Sequence, residues 1–95
     1  MPSLEGKRAL VIGVANERSI AWGIAQALHR EGARLAFTFL GESLERRVRP
    51  LAESVGADLI APCDVTDDGQ IDALFAEIDR TWGGLDVLVH AVAFA

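Results

Sequence analysis

Tyrosine is absent from this 95-residue chain, and lysine and cysteine occur once each, as Lys7 and Cys63. Without tyrosine, no phenolic hydroxyl is available here as a catalytic acid. One cysteine excludes an intrachain disulfide and a multi-cysteine metal site. No apolar run approaches the roughly 20 residues that span a bilayer. The N-terminus, Met1-Pro2-Ser3-Leu4-Glu5-Gly6-Lys7-Arg8, lacks the apolar core of a secretory signal. Basic residues are the minority, 9 Lys plus Arg against 14 Asp plus Glu, for a net charge of -5. That balance disfavours nucleic acid and anionic membranes as partners. The expectation is a soluble cytoplasmic protein with neither partner.

What is present is apolar. Hydrophobic residues make up 51% of the chain, and a chain this long buries roughly two thirds of its unfolded surface. One domain at most is expected. Three segments repeat one pattern, a helical stretch closed by glycine and followed by a strand. They are Arg30-Glu31-Gly32-Ala33, Ser54-Val55-Gly56-Ala57 and Thr81-Trp82-Gly83-Gly84. Helical stripes precede them: Ile20, Ile24, Ala27 and Leu28; Leu44, Val48, Leu51 and Val55; Ile71, Leu74, Phe75, Ile78 and Trp82. Ser19 is placed to cap the first helix, and Thr66-Asp67-Asp68 the third. The strands read as short continuous apolar runs, the mark of strands buried on both faces.

The predicted order is β1 (7–12), α1 (20–31), β2 (34–40), α2 (43–55), β3 (58–62), α3 (67–82) and β4 (86–92). Strict alternation predicts a doubly wound α/β fold with a parallel sheet and three helices; the Rossmann-type variety, with four strands in the order 3-2-1-4, is the expected arrangement. The chain stops at the apolar stretch His90-Ala91-Val92-Ala93-Phe94-Ala95 with no covering helix, so residues 1–95 are expected to be part of one larger domain.

Four places on this framework carry chemistry. The turn after β1 runs from Gly13 to Ser19 and Ile20. Glycine lets a backbone approach a pyrophosphate, and the start of α1 offers free N–H groups and a positive dipole end. Ser19 adds a hydroxyl, and Ala21 with Gly23 would let α1 pack closely on the sheet. An ordinary glycine turn with a serine cap is the competing reading. After β3, Asp64 could accept a hydrogen bond from an adenine amino group, with Val65 walling the ring. The same carboxylate suits a helix cap, and both readings stay open. Cys63 reads as a small buried residue. The end of β2 carries Leu40 where an acidic residue would select NADH and a basic one NADPH; Glu42 follows, and NADH is favoured. After β4, small residues leave room for a ribose and nicotinamide, and His90 reads as satisfying a buried hydrogen bond. Trp22 and Trp82 read as packing residues.

These residues together resemble the N-terminal part of bacterial enoyl-acyl-carrier-protein reductases, a divergent branch of the short-chain dehydrogenase/reductases. The resemblance runs from Gly6 to Ala95. It rests on the Gly-x5-Ser-x-Ala spacing of Gly13 to Ala21 continued through Trp22-Gly23-Ile24-Ala25, on Cys63-Asp64-Val65, and on His90 to Ala95. It implies reduction of the 2,3 double bond of an enoyl thioester on acyl carrier protein in fatty acid biosynthesis, by a cytoplasmic homotetramer using NADH or NADPH. It further implies that Gly13, Ser19 and Ile20 hold the pyrophosphate and neighbouring ribose, with Ala15 also at the cofactor. Asp64 and Val65 hold adenine, Leu40 faces the adenosine ribose, Val92 meets the nicotinamide-side ribose, and Ala95 borders the substrate. Ala91 departs from the family, which commonly has serine there.

The catalytic tyrosine and lysine of the family lie beyond the fourth strand, and this chain has no catalytic residue of that kind. The alternatives are another short-chain reductase, such as one acting on ketoacyl thioesters, or a non-catalytic dinucleotide-binding module. A phosphoacceptor receiver domain would need an acidic pair after β1, which is missing.

Overall fold

The computed structural model describes residues 3–91. Seven elements alternate: β1 (Arg8–Ile12), α1 (Ile20–Arg30), β2 (Arg34–Phe39), α2 (Glu42–Ser54), β3 (Leu59–Pro62), α3 (Asp68–Trp82) and β4 (Val87–His90). The strands form one parallel sheet ordered β3-β2-β1-β4. This is the expected Rossmann-like α/β arrangement, and the observed elements lie within the expected ranges to about one residue. At β4 the strand ends at His90; Ala91, expected within it, is described outside the strand, and Val92 lies outside the described residues.

Alternation along the central strands sorts the core into two layers. Ala9 and Val11 of β1, with Leu35 and Phe37 of β2, pack under α1 and α2, against Ala21, Trp22, Ala25, Val48 and Ala52. Leu10, Ile12 and Ala36 point the other way, toward Leu74 and Ile78 of α3. Successive strand residues face opposite sides, so a strand covered on both sides must be apolar throughout. The first two crossovers step outward through β2 to β3, and the third steps back past β1 to β4. A constant hand of crossover therefore puts α3 on the opposite face from α1 and α2.

Burial on both faces holds only for the central pair. β3 is partly buried, and β4 alternates, with Leu88 52% exposed. These are the two edges of the described sheet. His90 is on the exposed side of β4, which corrects the expectation of a buried hydrogen-bonding histidine.

The helix stripes are also adjusted. α2 buries Val48 with Leu51 and Val55 packed against the core, as expected, although Pro50 sits inside it. On α3, Leu74 and Ile78 are buried and Phe75 lies exposed. On α1 the expected face is rotated: Ala21, Trp22 and Ala25 are buried, while Ile20 and Ile24 are exposed. Two alanines one turn apart bring the helix close to the sheet, and Trp22 leans on Phe37 with ring centroids 6.1 Å apart. Gly23 takes no part in that approach. A Cβ there would meet nothing within 4 Å, because a residue two positions from Ala21 and two from Ala25 faces away from both.

Glycine ends the helices as expected. Gly32, Gly56 and Gly83 all have positive φ, 89°, 64° and 73°. After α1, Ala33 N–H reaches back to Leu28 carbonyl (3.0 Å) and Gly32 N–H to His29 carbonyl (3.0 Å). This satisfies the last carbonyls and turns the chain into β2. The amino ends of the strands are pinned by charge. Arg8 pairs with Asp86 (3.0 Å) and Arg34 with Asp58 (2.7 Å). The indole N–H of Trp82 donates to Asp58 (2.8 Å), and the Arg8 guanidinium to the Trp82 carbonyl (2.9 Å). The opposite, carboxyl ends carry the cleft.

Candidate functional site

β1 ends at Ile12, and Gly13 follows with φ 114°, a conformation L side chains rarely adopt. The chain then loops outward before entering α1 at Ile20. Ser19 holds the N-cap place with extended backbone (φ -68°, ψ 147°) but makes no side-chain cap to the helix. Its hydroxyl turns back into the loop instead. It donates to Asn16 carbonyl (2.6 Å) and accepts from the N–H groups of Ala15 (3.2 Å) and Asn16 (3.4 Å). The Asn16 side-chain oxygen accepts from Arg18 N–H (2.8 Å). The capping expectation for Ser19 is thus corrected: its hydroxyl bonds within the loop and not to the helix N–H groups. Trp22 and Gly23 both donate to the Ser19 carbonyl. Among the described residues the N–H groups of Ile20 and Ala21 make no hydrogen bond, so the helix start keeps free donors at its positive end.

This turn forms one wall of a cleft of about 480 Å³ across the carboxyl ends of the strands, within the range of small-molecule sites. Gly13, Ala15, Ser19 and Ile20 line it from the first turn, Leu40 from the end of β2, and Asp64 and Val65 from the end of β3. Seven residues singled out from the sequence therefore converge from three loops. Val92 and Ala95 lie outside the described residues. Glu42 opens α2 and does not line the cleft. Ile20 is 77% exposed and Leu40 54%, two large apolar side chains at one opening.

Arg18 and Thr38, which the sequence reading did not single out, also line the cleft, as does Leu44, which it placed only on the apolar stripe of α2. Thr38 is buried on β2, and its polarity between Phe37 and Phe39 was the signal available. For Arg18, a cation inside the glycine-led turn was the signal.

Asp64 is held by its own loop. Its carboxylate accepts from the Thr66 hydroxyl (2.6 Å) and the Thr66 N–H (2.9 Å), and these bonds keep it below the usual carboxylate range. Capping of α3 falls to Asp67, which accepts from Gln70 N–H (3.2 Å). Asp64 therefore stays ionised at the cleft without serving the helix. Its own N–H is occupied by the Gln70 side chain (2.7 Å). Cys63 is buried, and burial followed by the charges of Asp64 and Asp67 pushes its thiol up, the reverse of an activated thiolate. Among the described residues no cluster of three His, Cys, Asp or Glu could hold a metal ion, and no helix is long and apolar enough to cross a membrane.

Residues 13–95 match the enoyl-(acyl carrier protein) reductase family. The chain is 55% identical over 95 residues to the NADH-named enoyl-acyl-carrier-protein reductase of Aquifex aeolicus, covering 100% of this chain and 35% of that protein. The crystal structure of the Aquifex aeolicus enzyme superposes with a TM-score of 0.93 over 97% of this chain and 40% of its own. The reductase of Anaplasma phagocytophilum, solved in complex with NAD, is 51% identical and superposes at 0.91, over 97% of this chain and 35% of its own. The chain spans about a third of the length of the curated relatives it matches. A family match over most of the chain and half-identity along its whole length carry one conclusion: the chain belongs to the enoyl-(acyl carrier protein) reductase family.

Proposed function

We propose that this chain is the dinucleotide-binding part of an NADH-dependent enoyl-acyl-carrier-protein reductase, which reduces the 2,3 double bond of an enoyl thioester in fatty acid biosynthesis. The observation that carries the reading is the convergence of Gly13, Ala15, Ser19, Ile20, Leu40, Asp64 and Val65 on one cleft at the carboxyl ends of the strands. That is where doubly wound sheets hold their ligands. The names of the relatives add NADH as cofactor and the acyl-carrier-protein thioester as substrate. Residues 1–95 then form the first part of a single domain, and the tyrosine and lysine of the family's chemistry come from sequence beyond it. A cytoplasmic homotetramer is the assembly this reading implies.

The residues present fit the cofactor. Gly13, held at positive φ, carries no side chain where the pyrophosphate must approach. The free N–H groups of Ile20 and Ala21 supply donors and the dipole end of α1 suits an anion. Asp64, ionised and steadied by Thr66, is an acceptor for the adenine amino group, and Val65 offers an apolar wall. Leu40 offers the adenosine ribose neither a carboxylate nor a cation. Val92 and Ala95 are assigned to the nicotinamide-side ribose and the substrate by family likeness alone. When bound, the cofactor supplies the hydride. This chain's residues bind and orient it. Stabilisation of charge on the substrate oxygen, usually the largest protein contribution, falls to groups outside these 95 residues.

The test compares the complete protein with the 95-residue chain, following NADH oxidation with a crotonyl thioester. Turnover by the complete protein and none by the short chain is the expected result. Turnover by the short chain would overturn the division of labour, and no NADH oxidation by the complete protein would overturn the reading.

A further inference from the structure

Among the described residues lining the cleft, Arg18 carries the one positive side chain and Asp64 the one negative. They belong to different loops, after β1 and after β3. Arg18 is exposed, and its guanidinium makes no ion pair or side-chain hydrogen bond among the described residues. Its backbone is nevertheless fixed, because its N–H is held by the Asn16 side chain at 2.8 Å. The other candidate donor of the turn is committed: the Ser19 hydroxyl spends its single proton on the Asn16 carbonyl at 2.6 Å. An anion arriving at this turn meets two free main-chain N–H groups and one unpaired guanidinium. The chain as a whole carries a net charge of -5, so a local cation is needed to draw in an anionic ligand.

We propose that Arg18 is the phosphate-binding side chain of the cleft, pairing its guanidinium with the pyrophosphate oxygens of the bound dinucleotide. The proposal rests on the dinucleotide reading above and adds a residue to it. A guanidinium presents a planar fork of donors that matches phosphate oxygens in a way a lysine ammonium does not. An exposed position leaves the pairing open to screening by salt.

The experiment uses the complete protein and its Arg18→Ala and Arg18→Lys variants, titrated with NADH, NADPH, ADP-ribose and adenosine at low and high ionic strength. Arg18→Ala is expected to weaken NADH and ADP-ribose binding about ten-fold, the scale of one charge-assisted hydrogen bond. It should weaken NADPH by the same factor and leave adenosine unchanged. Arg18→Lys should recover part of the loss, and the gap between wild type and Arg18→Ala should narrow as salt rises. NADH affinity unchanged in Arg18→Ala would overturn the assignment, as would an equal loss for adenosine, which marks a merely structural effect. A loss confined to NADPH would move the contact to the 2′-phosphate and overturn the pyrophosphate pairing. Wild-type protein that binds none of the four probes overturns the dinucleotide reading itself, whereas wild-type binding indifferent to Arg18 overturns only this residue's role.

Discussion

Cys63 shows what a single residue's surroundings do to its chemistry. It lines the cleft, yet its thiol is buried and faces the charges of Asp64 and Asp67. Both influences disfavour the thiolate, and the thiolate is the reactive form. Alkylation at pH 8 should therefore run at least about ten-fold slower in the native protein than in denaturant, and equal rates would mean that the thiol is not buried. The sequence was enough to class Cys63 as a small buried residue, since it follows an apolar strand with no histidine or second cysteine nearby. Ser19 was less readable. A serine before a helical stripe marks the helix start, and the helix does start there. Which partner its hydroxyl takes depends on how the preceding five residues fold, and they fold so that Asn16 is closest. Asp64 was undecided between cap and ligand, and the turn closed by Thr66 leaves the cap to Asp67.

At the scale of elements, periodicity located all three helices and the glycines that end them, because helix spacing and a left-handed terminus are local requirements. It did not choose the buried face of α1. Isoleucine and alanine stripes run side by side there, and the sheet accepts the alanines, which allow the nearest approach, along with Trp22. Gly23 tests this. If it were needed for close packing, adding a methyl group would be harmful. In the structure a Cβ at Gly23 meets nothing within 4 Å, and glycine inside a helix costs roughly 0.5–1 kcal/mol relative to alanine. Gly23→Ala should raise stability by about that amount, read as a higher urea midpoint at an unchanged slope. A lower midpoint would return Gly23 to the helix–sheet interface.

Across the whole molecule, the two ends of the sheet have different tasks. The carboxyl ends form the cleft, and the amino ends are held by Arg8–Asp86 and Arg34–Asp58 with Trp82 between them. The side chain and main-chain N–H of Arg8 hold the Asp86 carboxyl down to about 2 from an ordinary 3.8. A carboxyl lowered in the folded state stabilises it above the unfolded value, and that contribution is lost as pH falls through the folded value. The Asp86 contribution is therefore complete above about pH 4 and fades toward pH 2. Asp86→Asn should be less stable than wild type at pH 7, and the gap should close between pH 4 and pH 2. Urea midpoints of both proteins across that range would show it. A gap constant with pH would mean that the ionised pair contributes nothing.

The alternation of elements, the glycine-led turn and the parallel sheet could all be inferred from residue order, because each follows from a local period, a backbone preference or the fixed hand of crossovers, whereas the 3-2-1-4 order came with the Rossmann-type assignment. The gathering of Gly13, Ser19, Leu40 and Asp64 followed as well, since every strand of a parallel sheet ends at the same edge. Packing in three dimensions decided the rest. It chose alanine over isoleucine as the inner face of α1. It turned the Ser19 hydroxyl into its own loop and placed Arg18, unpaired among the described residues, in the cleft. Those outcomes depend on distances between segments far apart in the chain, or on competition among several partners within one turn, and neither leaves a period to read.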